Sequence, residues 1–118
     1  MATHDRVQLA QAMYRAFANG DRATIERMLA DDLTFSSPLD VGLDRAGYFE
    51  RCWPGSGKRN NVDFVRLVES GDEVIVTYES EHEDGSRGRN TEVLTFRDDT
   101  VRAVEVYFGW NIPRPTVT

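Results

Sequence analysis

The side chains with the chemistry and placement to move a proton are Glu92, Asp40, His82 and Tyr14. Glu92 shares strand parity with Asn90, Leu94 and Phe96. Side chains alternate across a strand, so its carboxyl falls on the face of two core residues. An acid among apolar neighbours is partly desolvated, which penalises the charged form and raises the pKa. Such a group could donate a hydrogen bond to a carbonyl or act as a general acid or base. The alternative is a structural carboxylate paired with Arg89 or with an Arg from a helix. His82 shares parity with Val74, Val76, Tyr78 and Ser80, which could place an imidazole near neutral pH at the end of that face. It also stands in the acidic stretch Glu79-Ser-Glu-His-Glu-Asp84, where a solvated strand end is the plainer reading. Asp40 could supply a second carboxylate or hold a turn. Asp44 reads as a helix cap.

Other signals lead away from chemistry. Gly55-Ser-Gly-Lys58 has the ending of a phosphate-binding loop, but Cys52 stands where that pattern needs Gly and Arg59 where it needs Ser or Thr. The stretch reads as a connector. Two distant His and one Cys make no metal-ligand cluster, so neither a metal nor another cofactor is expected. Cys52 has no identifiable His partner and reads as a buried structural thiol. The acids of residues 69–84 lack a calcium-loop pattern and read as turns and a solvated face.

These groups must be positioned by helices first and strands after. Val7, Ala10, Met13, Tyr14 and Phe17 recur at helical spacing, Thr3 or Asp5 can cap the start, and Asn19-Gly20 ends the run. Asp21 can cap a second helix with Ile25, Met28 and Leu29 on one face. A short strand is expected over 33–36, ended by Pro38. Asp44 caps a third helix running to about Trp53, with Ala46, Phe49, Cys52 and Trp53 inward, until Pro54-Gly55 stops it. Strands are then expected over 62–69, 73–83, 89–96 and 101–110, separated by the turns Ser70-Gly71-Asp72, Asp84-Gly85 and Asp98-Asp99. Short turns force an antiparallel meander. The fold class expected is α+β, three N-terminal helices packed on one face of a strongly curved, mostly antiparallel sheet. Ile75, Thr77, Val93, Val101, Ala103 and Tyr107 fall on the other face. That face is apolar enough to suggest a homodimer through the outer side of the sheet.

The chain has 118 residues, suited to one domain with a core over about 6–112 and an irregular tail over 113–118. Its net charge is −6, and thirteen Arg and one Lys are scattered. None of these bases lies between Leu67 and Ser86, where seven acids do. That balance argues against a nucleic-acid partner, which needs a basic face. No apolar run approaches a membrane span of about 20 residues. The start of the chain lacks the apolar core of a signal peptide, and a lone Cys fits a reducing, cytoplasmic setting.

Several strings resemble the nuclear transport factor 2-like superfamily, with its ketosteroid isomerases and SnoaL-like polyketide cyclases. They are Tyr14-Arg-Ala-Phe-Ala-Asn-Gly-Asp21, Leu29-Ala-Asp-Asp-Leu-Thr-Phe-Ser-Ser-Pro38, Gly71-Asp-Glu-Val-Ile-Val-Thr-Tyr78, Glu92-Val-Leu-Thr-Phe96 and Val104-Glu-Val-Tyr-Phe-Gly-Trp110. The resemblance covers residues 6–112 and implies a cone-shaped roll in which the helices close the curved sheet over a deep apolar pocket. Ketosteroid isomerases carry a catalytic Asp just before the strand-ending Pro, and Ser37 stands there. Their helix-one Tyr, an oxyanion donor, aligns with Met13, one residue or about 100° of helix from Tyr14. Tyr14 is then a core aromatic with a polar tip or an oxyanion donor. Their protonated acid aligns with Glu92. Two of three signature positions differ, so steroid isomerisation is not the expected reaction.

The resemblance implies a pocket lined by Phe17, Phe49, Trp53, Phe64, Val104, Val106 and Phe108, with Trp110 at its opening and Tyr78, Ser37 and Asn90 orienting a ligand. The partner expected is a small hydrophobic or aromatic molecule. Three functions fit: a cofactor-independent acid–base enzyme of isomerase, cyclase, dehydratase or hydrolase type; a non-catalytic small-molecule-binding module; and a protein-interaction dimer with a filled cavity. In the first, Glu92 is the acid or hydrogen-bond donor and Asp40 or His82 the base.

Overall fold

Three aspartates begin the three helices. The Asp5 carboxylate accepts the Val7 N–H ahead of α1 (Arg6–Asn19), Asp21 accepts that of Thr24 in α2 (Arg22–Met28), and Asp44 accepts that of Gly47 in α3 (Arg45–Arg51). Each satisfies a backbone donor that has no partner within its helix. Gly20 ends α1 with a φ of 73°, a left-handed conformation that glycine adopts without strain. The computed structural model describes residues 5–57 and 61–112. Thr3, Lys58, Arg59 and the tail over 113–118 lie outside them.

Strand β1 (Leu29–Ser36) follows α2 directly, so Leu29 opens a strand where a helical position was expected. A 3-10 turn over Trp53–Gly55 follows α3. The strands β2 (Val62–Ser70), β3 (Glu73–Glu81), β4 (Arg87–Arg97) and β5 (Thr100–Ile112) form the expected antiparallel meander. The sheet order is β1-β5-β4-β3-β2, and β1 lies parallel to β5. Three helices on this curved, unclosed sheet make an α+β domain.

The core lies between the helices and the inner face of the sheet. Ala10, Met13 and Tyr14 from α1 and Ile25 and Met28 from α2 meet Val74, Val76, Tyr78, Leu94 and Phe96. In α3 the buried residue is Tyr48, while Ala46, expected inside, is exposed. The two are about 200° apart on a helix, so burying Tyr48 sends Ala46 to solvent.

Two bulges in β5 set which residues enter the core. Between the pairs Thr95–Ala103 and Phe96–Val101 the register shifts by one residue. Val101, expected on the outer face, is therefore fully buried beside Phe96. A second shift lies between the pairs Gly88–Asn111 and Asn90–Phe108. There the backbones nearly touch, and a Cβ on Gly109 would sit 2.1 Å from the Arg89 carbonyl oxygen. Only glycine fits. The outer face carries half-buried Ile75, Val93 and Ala103, exposed Val68 and Tyr107, and fully buried Thr77.

Candidate functional site

Alternation along β3 and β4 sends Tyr78, Asn90 and Glu92 to the inner face, where α1 brings Tyr14 across from them. A cavity of about 280 Å³ opens at this point. Glu92 stands in its wall, 9% exposed. The Tyr14 hydroxyl donates to Glu92 Oε1 at 2.8 Å and the Tyr78 hydroxyl to Oε2 at 2.6 Å. The second distance falls in the range of charge-assisted O–H···O⁻ bonds. Two phenols therefore grip both carboxyl oxygens from opposite layers of the fold. Asn90 completes the cluster. Its Oδ1 accepts the Gly109 N–H at 3.3 Å, and its Nδ2 donates to the Tyr78 hydroxyl oxygen over a long 3.5 Å.

Burial, and after it the charge of Glu92, holds the Tyr14 phenol well above its ordinary pKa. Burial does the same for Tyr48, whose ring also lines the cavity. Both phenols stay protonated at neutral pH and serve as donors rather than bases. Cys52 lines the cavity half-buried. Burial, then the charge of Asp40, raises its thiol, which disfavours the nucleophilic thiolate.

At the other end, the loop after β1 folds over the cavity. Asp40 lines it and pairs with Arg51 on α3, with Oδ1 2.7 Å from Nε. Ser37 also lines it, but its Oγ accepts the N–H groups of Leu39 and Asp40 and so holds the turn.

Of the residues singled out from the sequence, the structure brings together Glu92, Tyr14, Asp40, Phe17, Ser37, Tyr78, Asn90, Val106 and Phe108 around this cavity. Five lie elsewhere, among them Phe49, which packs against Tyr48 and Trp53, and Phe64, whose ring meets that of Tyr14 edge-on. His82 is exposed in the turn after β3, with its backbone bonded to Ser86. Trp53 packs against Phe17 and Phe49 beside the cavity instead of lining it. Trp110 is 64% exposed, because the bulge at Gly109 turns it to the outer face, where the Arg89 guanidinium lies over its ring. Arg89, weighed as a counter-ion for Glu92, bonds to Glu79. Sequence reasoning missed Tyr48 and Arg51. The available signal for Tyr48 was its place one helical turn before Cys52, on the same face of α3.

A sequence profile described as the SnoaL-like domain matches residues 10–105. The chain belongs to this family. Solved structures similar to this SnoaL-like chain include an M. tuberculosis LEH-like epoxide hydrolase at 19% identity, covering 88% of this chain and 82% of that one with a TM-score of 0.72. A ketosteroid isomerase candidate from Kribbella flavida DSM 17836 is 21% identical, covering 95% and 83% with a TM-score of 0.72. A polyketide cyclase candidate from Sinorhizobium meliloti is 16% identical, covering 84% and 93% with a TM-score of 0.70. At these identities the likeness establishes the NTF2-like fold. A search of curated proteins returned no match. Among the described residues no group of three or more His, Cys, Asp or Glu could hold a metal ion, and no helix is long and apolar enough to cross a membrane.

Proposed function

We propose that this SnoaL-like chain binds a small apolar molecule in the cavity and transfers a proton on it through Glu92. The reaction class is acid–base chemistry without redox change: isomerisation, cyclisation, dehydration or hydrolysis. The observation that carries this reading is a buried glutamate in the wall of a largely apolar cavity, held at both oxygens by phenols. A fixed carboxylate shielded from bulk water is suited to general acid–base work. Asp40, fixed by Arg51 at the same cavity, is the second carboxylate available to a substrate. The volume lies at about the lower limit of small-molecule sites and favours a mono- or bicyclic ligand.

A thermal-shift screen with aromatic and terpenoid-like compounds identifies binders, which stabilise the native state by mass action. Glu92→Gln is then expected to retain binding and to lower turnover by about 10²–10⁴-fold. Turnover equal to wild type would remove Glu92 from the chemistry.

A non-catalytic binding module is the second reading. The observation in its favour is Ser37, a turn-holding hydroxyl at the position where ketosteroid isomerases carry their base. Binding without turnover of any bound compound would select it. The open cavity weighs against a filled-core interaction dimer. We propose that a homodimer forms through the outer sheet face, where Val68 and Tyr107 are exposed beside Ile75 and Val93. Sedimentation across a dilution series checks this, and a monomer at every concentration ends it.

A further inference from the structure

Three residues that line the cavity are more than half exposed and so frame its mouth. Leu39 is 77% exposed, Phe108 52% and the Arg51 side chain 57%. Arg51 is the one cation among the described residues that line the cavity. It stands in the last turn of α3, with Asp40 Oδ1 2.7 Å from its Nε. A guanidinium carries five N–H donors in a planar fork, and one carboxylate takes at most two of them. Arg51 therefore keeps donors within reach of a group that enters the mouth. The loop that presents Asp40 is held by other bonds. Ser37 and Asp40 exchange backbone hydrogen bonds of 2.7 and 3.2 Å, Phe35 and Leu43 exchange two of 2.8 Å, and the Gly42 N–H donates to Ser36 Oγ at 3.0 Å. An ion pair with one partner so exposed contributes little and exchanges for another at small cost. Asp40 thus sits on Arg51 as a carboxylate that a second carboxylate can replace.

From this we infer that the ligand is a carboxylic acid, with its apolar body in the cavity and its carboxylate at the mouth, paired with Arg51 in place of Asp40. The body lies against the aromatic lining of Phe17, Phe35 and Tyr48. The head group then stays apart from Glu92, which is 9% exposed at the inner end. The planar fork of Arg51 matches the two oxygens of a carboxylate. Arg51 is accordingly the residue that sets specificity, and Asp40 competes with the ligand for it. This rests on the proposal that the cavity binds a small apolar molecule, and it narrows that proposal to molecules with an acidic end.

The test uses a matched pair on one bicyclic skeleton, indane-2-carboxylic acid and its carboxamide, titrated into the full chain near neutral pH by calorimetry. The acid is expected to bind about fivefold more tightly, the scale of a partly exposed charge pair, and the gap should narrow as salt is raised. Arg51→Gln should erase the preference and leave the amide's affinity as it was. Asp40→Asn should widen it severalfold, because the competitor and its repulsion are gone. A pair that only latches the loop would instead make both variants weaken both compounds alike. That result, or equal or tighter binding of the amide by the wild type, overturns the inference while leaving the binding proposal intact. If neither compound binds, the binding proposal fails for ligands of this size, and acetate decides the inference. The ¹⁵Nε signal of Arg51 should then shift on acetate addition, and at lower acetate in Asp40→Asn. A shift no larger than that of the exposed Arg102 would sink it.

Discussion

The inner and outer faces of β3 and β4 share one backbone and bury polar groups in opposite ways. Outside, the polar groups close on one another. Thr77 and Thr91 share a 2.8 Å hydrogen bond across the strands. Glu79 takes Arg89 and Arg87, and Arg87 also reaches Asp63. The hydrogen bond from Arg89, and then its charge, pulls the Glu79 carboxyl below its ordinary pKa. Such a carboxylate is occupied by cations in contact with water and contributes little that salt would not screen. Inside, Glu92 is held by neutral phenols at the wall of a hollow. The comparison separates a glutamate that finishes a surface from one that stands in the wall of a cavity. The distinguishing feature is the void beside Glu92.

The sharpest way to break this contrast is by truncation. Leu94, fully buried on the inner face, should lose about 2–5 kcal/mol of stability as Leu94→Ala. Its neighbour Val93, half-buried on the outer face, should lose about 1 kcal/mol as Val93→Ala. Urea unfolding measures both. Equal losses would mean that the outer face is covered in solution as completely as the inner one.

A smaller effect probes the polar groups. Tyr14→Phe and Tyr78→Phe should each cost about 1–3 kcal/mol, and their double-mutant cycle should show coupling through Glu92 of about 0.5 kcal/mol or more. Additive losses would mean that the two phenols do not share one acceptor. Alkali provides an independent check. The Tyr14 phenol keeps its proton in the folded chain above the value of about 10 at which an unfolded tyrosine releases it. Its contribution to stability is therefore whole below about pH 10 and is lost as pH rises through the folded pKa. Stability of Tyr14→Phe should fall less steeply above pH 10 than that of the wild type.

Much of the fold was legible because local chemistry and hydrophobic period agreed. The three capping aspartates, the Asn19-Gly20 stop and the short turns of the meander are each decided within a few residues. The inward direction of Glu92 and Tyr78 followed from simple alternation. Val101 was misplaced by alternation, and Trp110 by the resemblance, which sets it at the pocket opening. A strict period of two cannot anticipate a bulge, and β5 has one on either side of the stretch that faces the cavity. Gly109 marked the second bulge, but a lone glycine near a strand end does not reveal which way the next side chain will turn. Tyr48 and Arg51 were missed because α3 is too short for periodicity to fix its buried face. The Asp40–Arg51 pair joins a loop to a helix, and no spacing in the sequence specifies that contact.

The sheet order imposes a timetable on the growing chain. β1 emerges early from the ribosome, yet among the described strands its neighbour in the sheet is β5, the last of them to be made. Until β5 is in place, β1 and β4 each expose an unpaired edge toward the same gap, and the wall opposite α1 is incomplete. The domain therefore closes by insertion of its latest segment between two older ones, a long-range step that slows folding and leaves the nascent chain open to association with its neighbours.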